Sequence, residues 1–266
     1  MLILGDPKTE EGVRELRKLA KENEDIRGCG LDLSDEFLSS FIRGKNGEVN
    51  KALQTLEHYV SVRKGKYNDF FRHLYPSRCQ YFKELPTFQA FFKRRDEEGH
   101  VVGFFKLSEI DFNVVDIEDV FAGFVLAAEE LLTVEDLTKN GLIAIIDCRG
   151  IGLQHVKTFT PSRIQFLFNI CVGTYPIKYK GFHVLYDSFI FDPLLKVFKM
   201  LAPKKIRERI FLHGKDDTSL QKSIPPSMLP DWLGGELTPE ECYDNELVEH
   251  IYSQEDHFRK IATKWC

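Results

Sequence analysis

Short apolar runs alternate with helical patterns in the second half of this chain, at residues 142–146, 181–186 and 210–212. Between the runs, Pro161 and Pro193 each open a stretch with apolar residues at helical spacing. A strand that is apolar throughout is typical of a sheet covered on both faces. Strands joined through helices in this way pair in parallel, with right-handed crossovers. The pattern therefore predicts an α/β fold built around a mostly parallel sheet.

The first part of the chain has a different pattern, with three amphipathic helices in a row. These helices are predicted to begin near Thr9, near Ser34 and at residue 49, and the third ends near Lys64. Short helices of this kind pack together into a small bundle. We therefore predict a helical module over residues 1–64 and a second, α/β domain over residues 65–266.

Further elements are predicted around the parallel core. Residues 88–94 and 101–107 flank a polar turn and predict a β-hairpin, which makes the sheet mixed. Residues 117–137 predict one long helix. Thr238 opens a capping box, and a polar helix is predicted from there toward the end of the chain.

The segment between residues 178 and 209 is strongly basic in an otherwise acidic chain. It contains eight Lys and Arg residues and three acidic residues, a net charge of +5, whereas the full chain has a net charge of −5. The rest of the chain therefore carries −10. Such an asymmetry predicts a local anionic partner. A solvated face without a ligand is the alternative interpretation.

The helix predicted after Pro193 is apolar on nearly every side. Asp192 is its expected N-cap, Pro203 ends it, and only Lys196 and Lys199 mark a polar side. A helix that covers a sheet inside an ordinary α/β core would have this pattern. Its basic flanks leave open a second role, at the surface.

Candidate catalytic groups are few. Cys148 and Arg149 follow a buried strand, where open α/β sheets place their sites, but His155 has no evident orienting carboxylate. The Gly234-Gly235 pair lacks the Lys-Ser or Lys-Thr of a phosphate loop. We predict a structural role for Cys148 and a protein that is not an enzyme. A Cys148 nucleophile is the less favoured alternative.

Cysteine spacing and hydropathy indicate the cellular compartment in which the protein works. The six cysteines form no paired motif, so neither a metal site nor a cofactor is predicted, and they are expected to be reduced thiols. The N-terminus turns acidic too soon for a signal peptide, and the apolar runs are too short to span a bilayer. We expect a cytoplasmic protein that contacts membranes transiently.

His183 and His213 are expected to be buried and hydrogen-bonded.

Five stretches, taken together and in order, carry a resemblance to a known family. They are FLSSFIRGKNGEVNKAL (37–53), GLIAIIDCRGI (141–151), TPSRIQFLFNICVGTYPIKYKGFHVLYDSFIF (160–191), KKIRERIFLHG (204–214) and LPDWLGGEL (229–237). On these stretches the chain resembles the CRAL-TRIO lipid-binding family, and within it the branch that binds tocopherol and retinaldehyde. The resemblance implies a helical N-terminal module and a mixed sheet that, with helices around it, encloses an apolar ligand.

The resemblance also implies a mobile gate helix, which corresponds to residues 189–201, and a set of ligand-binding positions. These positions match Phe121, Phe124, Ala128, Leu142, Ile146, Leu167, Ile170, Cys171, Phe182, Phe191, Leu194 and Val197. Phe124 and Ala128 stand where the tocopherol-binding branch has serines. The pocket is therefore expected to be drier and differently shaped, and the identity of its ligand stays open.

A phosphoinositide site is implied as well. The basic residues of that site match Lys45, Lys178, Lys180, Lys205 and Arg209. Another branch of the family holds a phosphatidylinositol headgroup inside its pocket with an acidic residue, which is absent near Ile177. The resemblance thus implies a hydrophobic ligand inside the protein and a phosphoinositide outside it.

The expected function is that of a monomeric, non-enzymatic carrier. It would move a tocopherol, retinoid, carotenoid or sterol-like lipid to or from membranes that contain phosphoinositides. The alternative is a signalling or scaffold module that reads phosphoinositides and carries no cargo. Neither function calls for nucleic acid as a partner.

Overall fold

The structure, a computed structural model, contains one five-stranded sheet. It describes residues 7–79, 85, 88–132, 134–186 and 191–265. The strands lie in the order β1-β2-β3-β4-β5. Their bounds are Gln89–Phe91 (β1), Val101–Lys106 (β2), Leu142–Asp147 (β3), Tyr179–Leu185 (β4) and Ile210–Leu212 (β5). β1 pairs antiparallel with β2, and the remaining three pairings are parallel, so the predicted hairpin and mostly parallel sheet are confirmed.

Fifteen α-helices surround the sheet in the described ranges. The first seven are Pro7–Glu22 (α1), Glu24–Arg27 (α2), Asp35–Gly44 (α3), Val49–Lys64 (α4), Asn68–Arg72 (α5), Ile117–Leu131 (α6) and Glu135–Lys139 (α7). The next four are Leu153–Thr158 (α8), Pro161–Cys171 (α9), Asp192–Leu201 (α10) and Lys204–Arg207 (α11). The last four are Asp217–Gln221 (α12), Pro239–Cys242 (α13), Asn245–Ser253 (α14) and Glu255–Thr263 (α15). None of them is long and apolar enough to cross a bilayer.

The N-terminal helices form a bundle, as predicted. The Ser34 hydroxyl caps α3 by accepting a hydrogen bond from the backbone N–H of Phe37, at 3.3 Å. Thr9 does not start the first helix, because α1 already includes Pro7. At the end of α3, an added Cβ on Gly44 would lie 2.0 Å from the carbonyl oxygen of Pro176. Only glycine allows this close approach between the bundle and the chain that leads into β4.

Two long helices predicted from the sequence are divided in the structure. The stretch 117–137 contains all of α6 and the beginning of α7. The spacing of its apolar residues did not reveal the break between the two helices, because Leu137, which lies beyond the break, is also buried. The stretch after Thr238 forms α13, α14 and α15, although its capping box is present. The second division has a clear cause, since the backbone of Asp244 leaves the helix to donate a hydrogen bond to the carbonyl of Phe91 in β1, at 2.7 Å.

The two faces of the sheet have different partners. Alternation along β1 and β3 sends Ala90, Ile143 and Ile145 to one face, where they pack against the segment after β5 through residues such as Leu229 and Leu233. The opposite face lies under α6, α9 and α10.

The division of the chain at residue 64 into two domains stays a prediction.

A buried charged network joins the bundle to the rest of the fold. Arg63 on α4 is 1% exposed and forms an ion pair with Glu129 on α6. Its guanidinium also donates to the Tyr175 hydroxyl at 2.7 Å, and Tyr175 donates to Glu129 at 2.7 Å. The Tyr59 hydroxyl donates to the same carboxylate at 2.9 Å, and its ring lies 3.3 Å from the guanidinium carbon. Each charge is thus neutralised and hydrogen-bonded, as burial requires.

Breaking this pair on one side is expected to destabilise the protein more than replacing both sides. Arg63→Met or Glu129→Leu leaves the other charge buried without its partner, and each should lower the free energy of unfolding by about 3–5 kcal/mol. The double variant should lose less than the sum of the two. Urea denaturation measures all three. Lys51→Met, which breaks an exposed pair with Glu48, is the control and should cost less than about 1 kcal/mol. Single variants no less stable than this control would contradict the assignment.

A histidine pair lies on the far face of the sheet. The prediction that both are buried and hydrogen-bonded is confirmed, with 2.9 Å between His183 Nδ1 and His213 Nε2 and 2.9 Å between His213 Nδ1 and Ser219 Oγ. Burial, and then the nearby His213, lower the pKa of His183 to about 4. The folded protein therefore binds a proton here less readily than the unfolded chain does.

This lowered pKa predicts a loss of stability in acid. The unfolded chain protonates His183 near pH 6.5, so its contribution to stability is constant above that value and falls as the pH drops toward about 4. The loss amounts to about 3 kcal/mol. Between pH 7 and pH 4, the His183→Gln variant should therefore lose less unfolding free energy than the parent in urea denaturation. His257→Gln, at an exposed position, should follow the parent. Equal losses in His183→Gln and the parent would contradict the pKa shift.

Candidate functional site

The face of the sheet under α6, α9 and α10 forms the floor of an apolar cavity of about 220 Å³. The floor is contributed by Gln89, Phe91, Phe105, Leu142, Ala144, Ile146, Tyr179, Phe182, Val184 and Ile210. The walls from α6 and α9 are contributed by Phe124, Ala127, Ala128, Leu131, Ile164, Leu167, Phe168 and Cys171. The wall at α10 is contributed by Phe191, Leu194, Leu195 and Phe198, and loop residues Leu107, Phe159, Val172 and Ile177 complete the lining. An apolar cavity of this kind is suited to a hydrophobic small molecule.

A β-bulge at the start of β4 decides which residues enter the cavity. Leu142 pairs with Tyr179 and the next residue of β3 pairs with Gly181, so Lys180 is the extra residue. The bulge turns Tyr179 to the same face as Phe182, and their rings stack with 5.5 Å between centroids. Lys180 remains exposed on the outside.

Nine of the twelve residues predicted to bind ligand line this cavity. They are Phe124, Ala128, Leu142, Ile146, Leu167, Cys171, Phe182, Phe191 and Leu194. Phe121 packs instead against the rings of Phe159 and Phe166. Ile170 is fully buried in the core shared with the N-terminal helices, and Val197 is a half-buried residue outside the lining. A role in binding ligand stays a proposal for all twelve.

Several lining residues were missed in the sequence. Ala144 could have been found, since it alternates with Leu142 and Ile146 along β3. Tyr179 could not be found by alternation, because the bulge breaks the period of two. Gln89 was missed because β1 is only three residues long and its polar side chain gives no apolar pattern.

The helix α10 covers one side of the cavity. Leu194 and Leu195 are buried, and Phe198 packs against Phe168 on α9 with 4.7 Å between ring centroids. The N-cap is Phe191 and Asp192 is the first residue of the helix, which corrects the prediction of Asp192 as the N-cap. The helix ends before Pro203 as predicted. Residues 189 and 190 of the expected gate lie outside the described residues, and movement of the gate stays a prediction.

The polar groups of the cavity are neutral. Among its described lining residues, Gln89, Cys171 and Tyr179 carry polar side-chain atoms and none is charged. Burial raises the pKa of the Cys171 thiol to about 12, and it raises that of the Tyr179 hydroxyl as well. Both groups therefore keep their protons at neutral pH, so the cavity has the character of a binding site.

Cys148 and Arg149, which follow the end of β3, are held by packing and hydrogen bonds. Cys148 is 5% exposed and lies in the core under α10. Arg149 is held by the buried carboxylate of Asp147, with 2.8 Å between Arg149 Nε and Asp147 Oδ2. The guanidinium also packs over Tyr186 and Trp232, at 4.5 and 4.8 Å from the ring centroids. In the described ranges, no group of three His, Cys, Asp or Glu side chains could hold a metal ion.

The five predicted phosphoinositide ligands, which we call the basic cluster, come from the end of α3, from β4 and from the region of α11. The basic cluster consists of Lys45, Lys178, Lys180, Lys205 and Arg209. Burial, and then repulsion from Lys205, lower the pKa of Lys45. Burial, and then repulsion from Lys180 and Lys45, lower the pKa of Lys178. Repulsion thus links Lys45 with Lys205 and Lys178, and Lys178 with Lys180, although Lys45 and Lys205 are 160 residues apart in the sequence.

Two members of the basic cluster are fixed by backbone carbonyls. Lys178 Nζ donates to the carbonyl of Lys139 at 2.8 Å and to Asn46 Oδ1 at 2.7 Å. Arg209 donates to the carbonyl of Tyr179. Within the described part of the chain, no member of the basic cluster forms an ion pair with a carboxylate. The repulsion among these cations is therefore not offset by a carboxylate of the described residues.

Comparisons with known proteins agree with this fold. Residues 86–235 match the model of the CRAL/TRIO domain family. Alpha-tocopherol transfer protein-like from Homo sapiens is 30% identical over 226 residues, which cover 84% of this chain and 64% of that protein. Clavesin-2 from Rattus norvegicus is 24% identical over 252 residues, which cover 93% of this chain and 76% of that protein.

A solved structure supports the same conclusion for the fold. The crystal structure of Sfh5 superposes with a TM-score of 0.59 at 12% identity, covering 96% of this chain and 99% of that one. Because the family match extends over more than half of the sequence, the chain belongs to the CRAL/TRIO domain family.

Proposed function

We propose that the protein is a carrier without enzymatic activity, which binds one hydrophobic small molecule in the cavity and exchanges it at membranes. The observation that carries this proposal is the apolar cavity, whose described lining has no charged side chain. The name of one relative, alpha-tocopherol transfer protein-like, supports a transfer function. The protein would work in the cytoplasm as a monomer, with transient contact to membranes.

The energetics of such a site favour reversible binding. Burying roughly 400 Å² of apolar ligand surface at about 25 cal/mol per Å² contributes about 10 kcal/mol. Association costs about 4–15 kcal/mol in lost freedom. The balance allows a ligand to be held in water and still be released to a bilayer, which offers it a similar apolar environment.

The chemical class of the cargo is that of tocopherols, retinoids, carotenoids and sterol-like lipids. Phe124 and Ala128 give the wall of α6 an aromatic ring and a methyl group, which favours an apolar body over a polar one. Extraction of the purified protein with organic solvent, followed by mass spectrometry, tests the proposal directly. A protein that is repeatedly empty and takes up no lipid from vesicles would refute it.

We further propose that the basic cluster binds a phosphoinositide headgroup and so directs the cavity toward the membrane. Each cation near an anionic surface contributes about 1 kcal/mol, and salt weakens this contribution. The cluster adjoins the cavity, because α11 directly follows α10 and Arg209 binds the backbone of Tyr179. Opening of α10 would expose Leu194 and Phe198, and this costs less at a bilayer than in water.

A scaffold that reads phosphoinositides and carries no cargo is the second candidate. The basic cluster is compatible with it equally well. The cavity favours the carrier, because a scaffold has no need of unfilled apolar space in its core. Filling the cavity separates the two candidates, since a scaffold would lose nothing.

Ala128→Trp is expected to abolish uptake of cargo. The indole would occupy the space between α6 and the sheet, so lipid recovered by mass spectrometry should fall at least about tenfold, a change of about 1.4 kcal/mol or more. Thermal stability should be maintained, because the added ring fills existing space. Val114→Trp, at a position 82% exposed, is the matched control. Unchanged uptake by Ala128→Trp would contradict the location of the ligand.

Lys180→Gln combined with Lys205→Gln is expected to slow transfer to vesicles that contain phosphatidylinositol bisphosphate. The loss of two exposed cations removes about 2 kcal/mol, or roughly 30-fold in vesicle affinity, and reduces its salt dependence. Affinity for cargo in solution should not change. Arg209 is left intact because it holds the backbone of Tyr179.

Lys260→Gln combined with Lys264→Gln on the C-terminal helix gives the same change in charge at another exposed site. This control should transfer cargo like the parent. Equal transfer by both double variants, on vesicles with and without the phosphoinositide, would show that the basic cluster is only a solvated face.

A further inference from the structure

Gln89 places a carboxamide in the apolar cavity. In β1, Gln89 and Phe91 share one face and Ala90 takes the other, where it joins the core behind the sheet. Gln89 pairs with Phe105, and both line the cavity together with Phe91. The side chain of Gln89 therefore points into the cavity from its edge strand.

The carboxamide of Gln89 has hydrogen-bonding capacity to spare. Its side chain makes no hydrogen bond to any residue that the structure describes, although Gln89 is only 9% exposed. A carboxamide offers two N–H donors and a carbonyl acceptor, which here face the cavity and are available to a bound molecule. A ligand group that restores these hydrogen bonds would therefore bind with a gain.

A much smaller second cavity lies behind Gln89. Its volume is about 10 Å³, and Gln89, Gly123 and Tyr252 are among its lining residues. That volume is of the order of a single water molecule and too small for any cargo. The carboxamide of Gln89 thus lies between the large cavity and this small one.

The other polar groups lie at a different place. Tyr179 and Cys171 are near one another, and Tyr179 is on β4, three strands away from Gln89. At about 4.8 Å for each strand, the separation across the floor is about 14 Å. Burial raises the pKa of the Tyr179 hydroxyl, so this group is also desolvated and is the alternative partner for a polar ligand group.

We propose that Gln89 is the specificity-determining residue of the cavity and hydrogen-bonds the polar end of the cargo. This inference rests on the proposed carrier function. The cargo is then an elongated apolar molecule with one neutral polar group, a hydroxyl or a carbonyl, at the end that lies against Gln89. A carboxylate or an ammonium is excluded as that group, because no charged side chain of the described lining would compensate it.

A pair of probes that differ in one hydroxyl group tests the proposal. Hexadecan-1-ol and hexadecane are offered together in phosphatidylcholine vesicles to the full chain, and the protein-bound amounts are measured by mass spectrometry. The parent should favour the alcohol, and Gln89→Leu should reduce the alcohol-to-alkane ratio by about tenfold, the size of one net hydrogen bond. Each probe partitions into the vesicles equally in the two experiments. Differences in this partitioning therefore do not affect the comparison of the ratio between variant and parent.

Three further measurements keep the test decisive. Retained uptake of hexadecane shows that Gln89→Leu is folded, and Gln89→Met, which is closer in length, should give the same loss of ratio. Tyr179→Phe removes the hydroxyl group of Tyr179 from the lining and should keep the ratio of the parent.

The opposite results overturn the proposal. An unchanged ratio in Gln89→Leu, or a ratio lost in Tyr179→Phe and not in Gln89→Leu, would refute the role of Gln89 while the carrier function stands. Uptake of neither probe by the parent would overturn the carrier function, and the role of Gln89 with it.

Discussion

The buried ion pair between Arg63 and Glu129 fixes the position of α6, and α6 determines the shape of the cavity. The pair has one arrangement in which Tyr59 and Tyr175 satisfy the remaining hydrogen bonds, and any other leaves a charge exposed to a low dielectric. Ala128 lines the cavity and directly precedes Glu129 in the same helix. The N-terminal helices therefore help to shape the ligand site, although none of the described lining residues comes from them.

Charge and cavity are also connected on the other side of the molecule. The chain passes from α10, which covers the cavity, into α11 and then β5, so the lid and the cations that flank it belong to one continuous segment. Lys178 and Lys45 bring in the strand β4 and the bundle. A headgroup bound by these residues would contact three parts of the fold at once, which is a route by which a surface event could bias the lid.

Sequence patterns predicted the fold well and the site in part. The parallel core could be predicted because its strands are apolar throughout, and the start of α3 near Ser34 because the chemistry of a helix start is local. The break after α13 could not, since it depends on a hydrogen bond between Asp244 and a strand about 150 residues away. Gln89 was not predicted as a lining residue for a related reason, because its importance comes from the apolar surroundings that tertiary packing gives it.

The bulge in β4 makes the chain intolerant of a change in length at that point. Tyr179 faces the cavity and its neighbour Lys180 faces the solvent only because one extra residue stands between the paired positions. Deleting the extra residue would shift the alternation of side chains along the strand by one position. A side chain that faces the solvent in this structure would then be forced toward the interior. Substitutions can be accommodated here more easily than an insertion or a deletion. Among relatives, spacing in this strand should therefore vary less than residue identity.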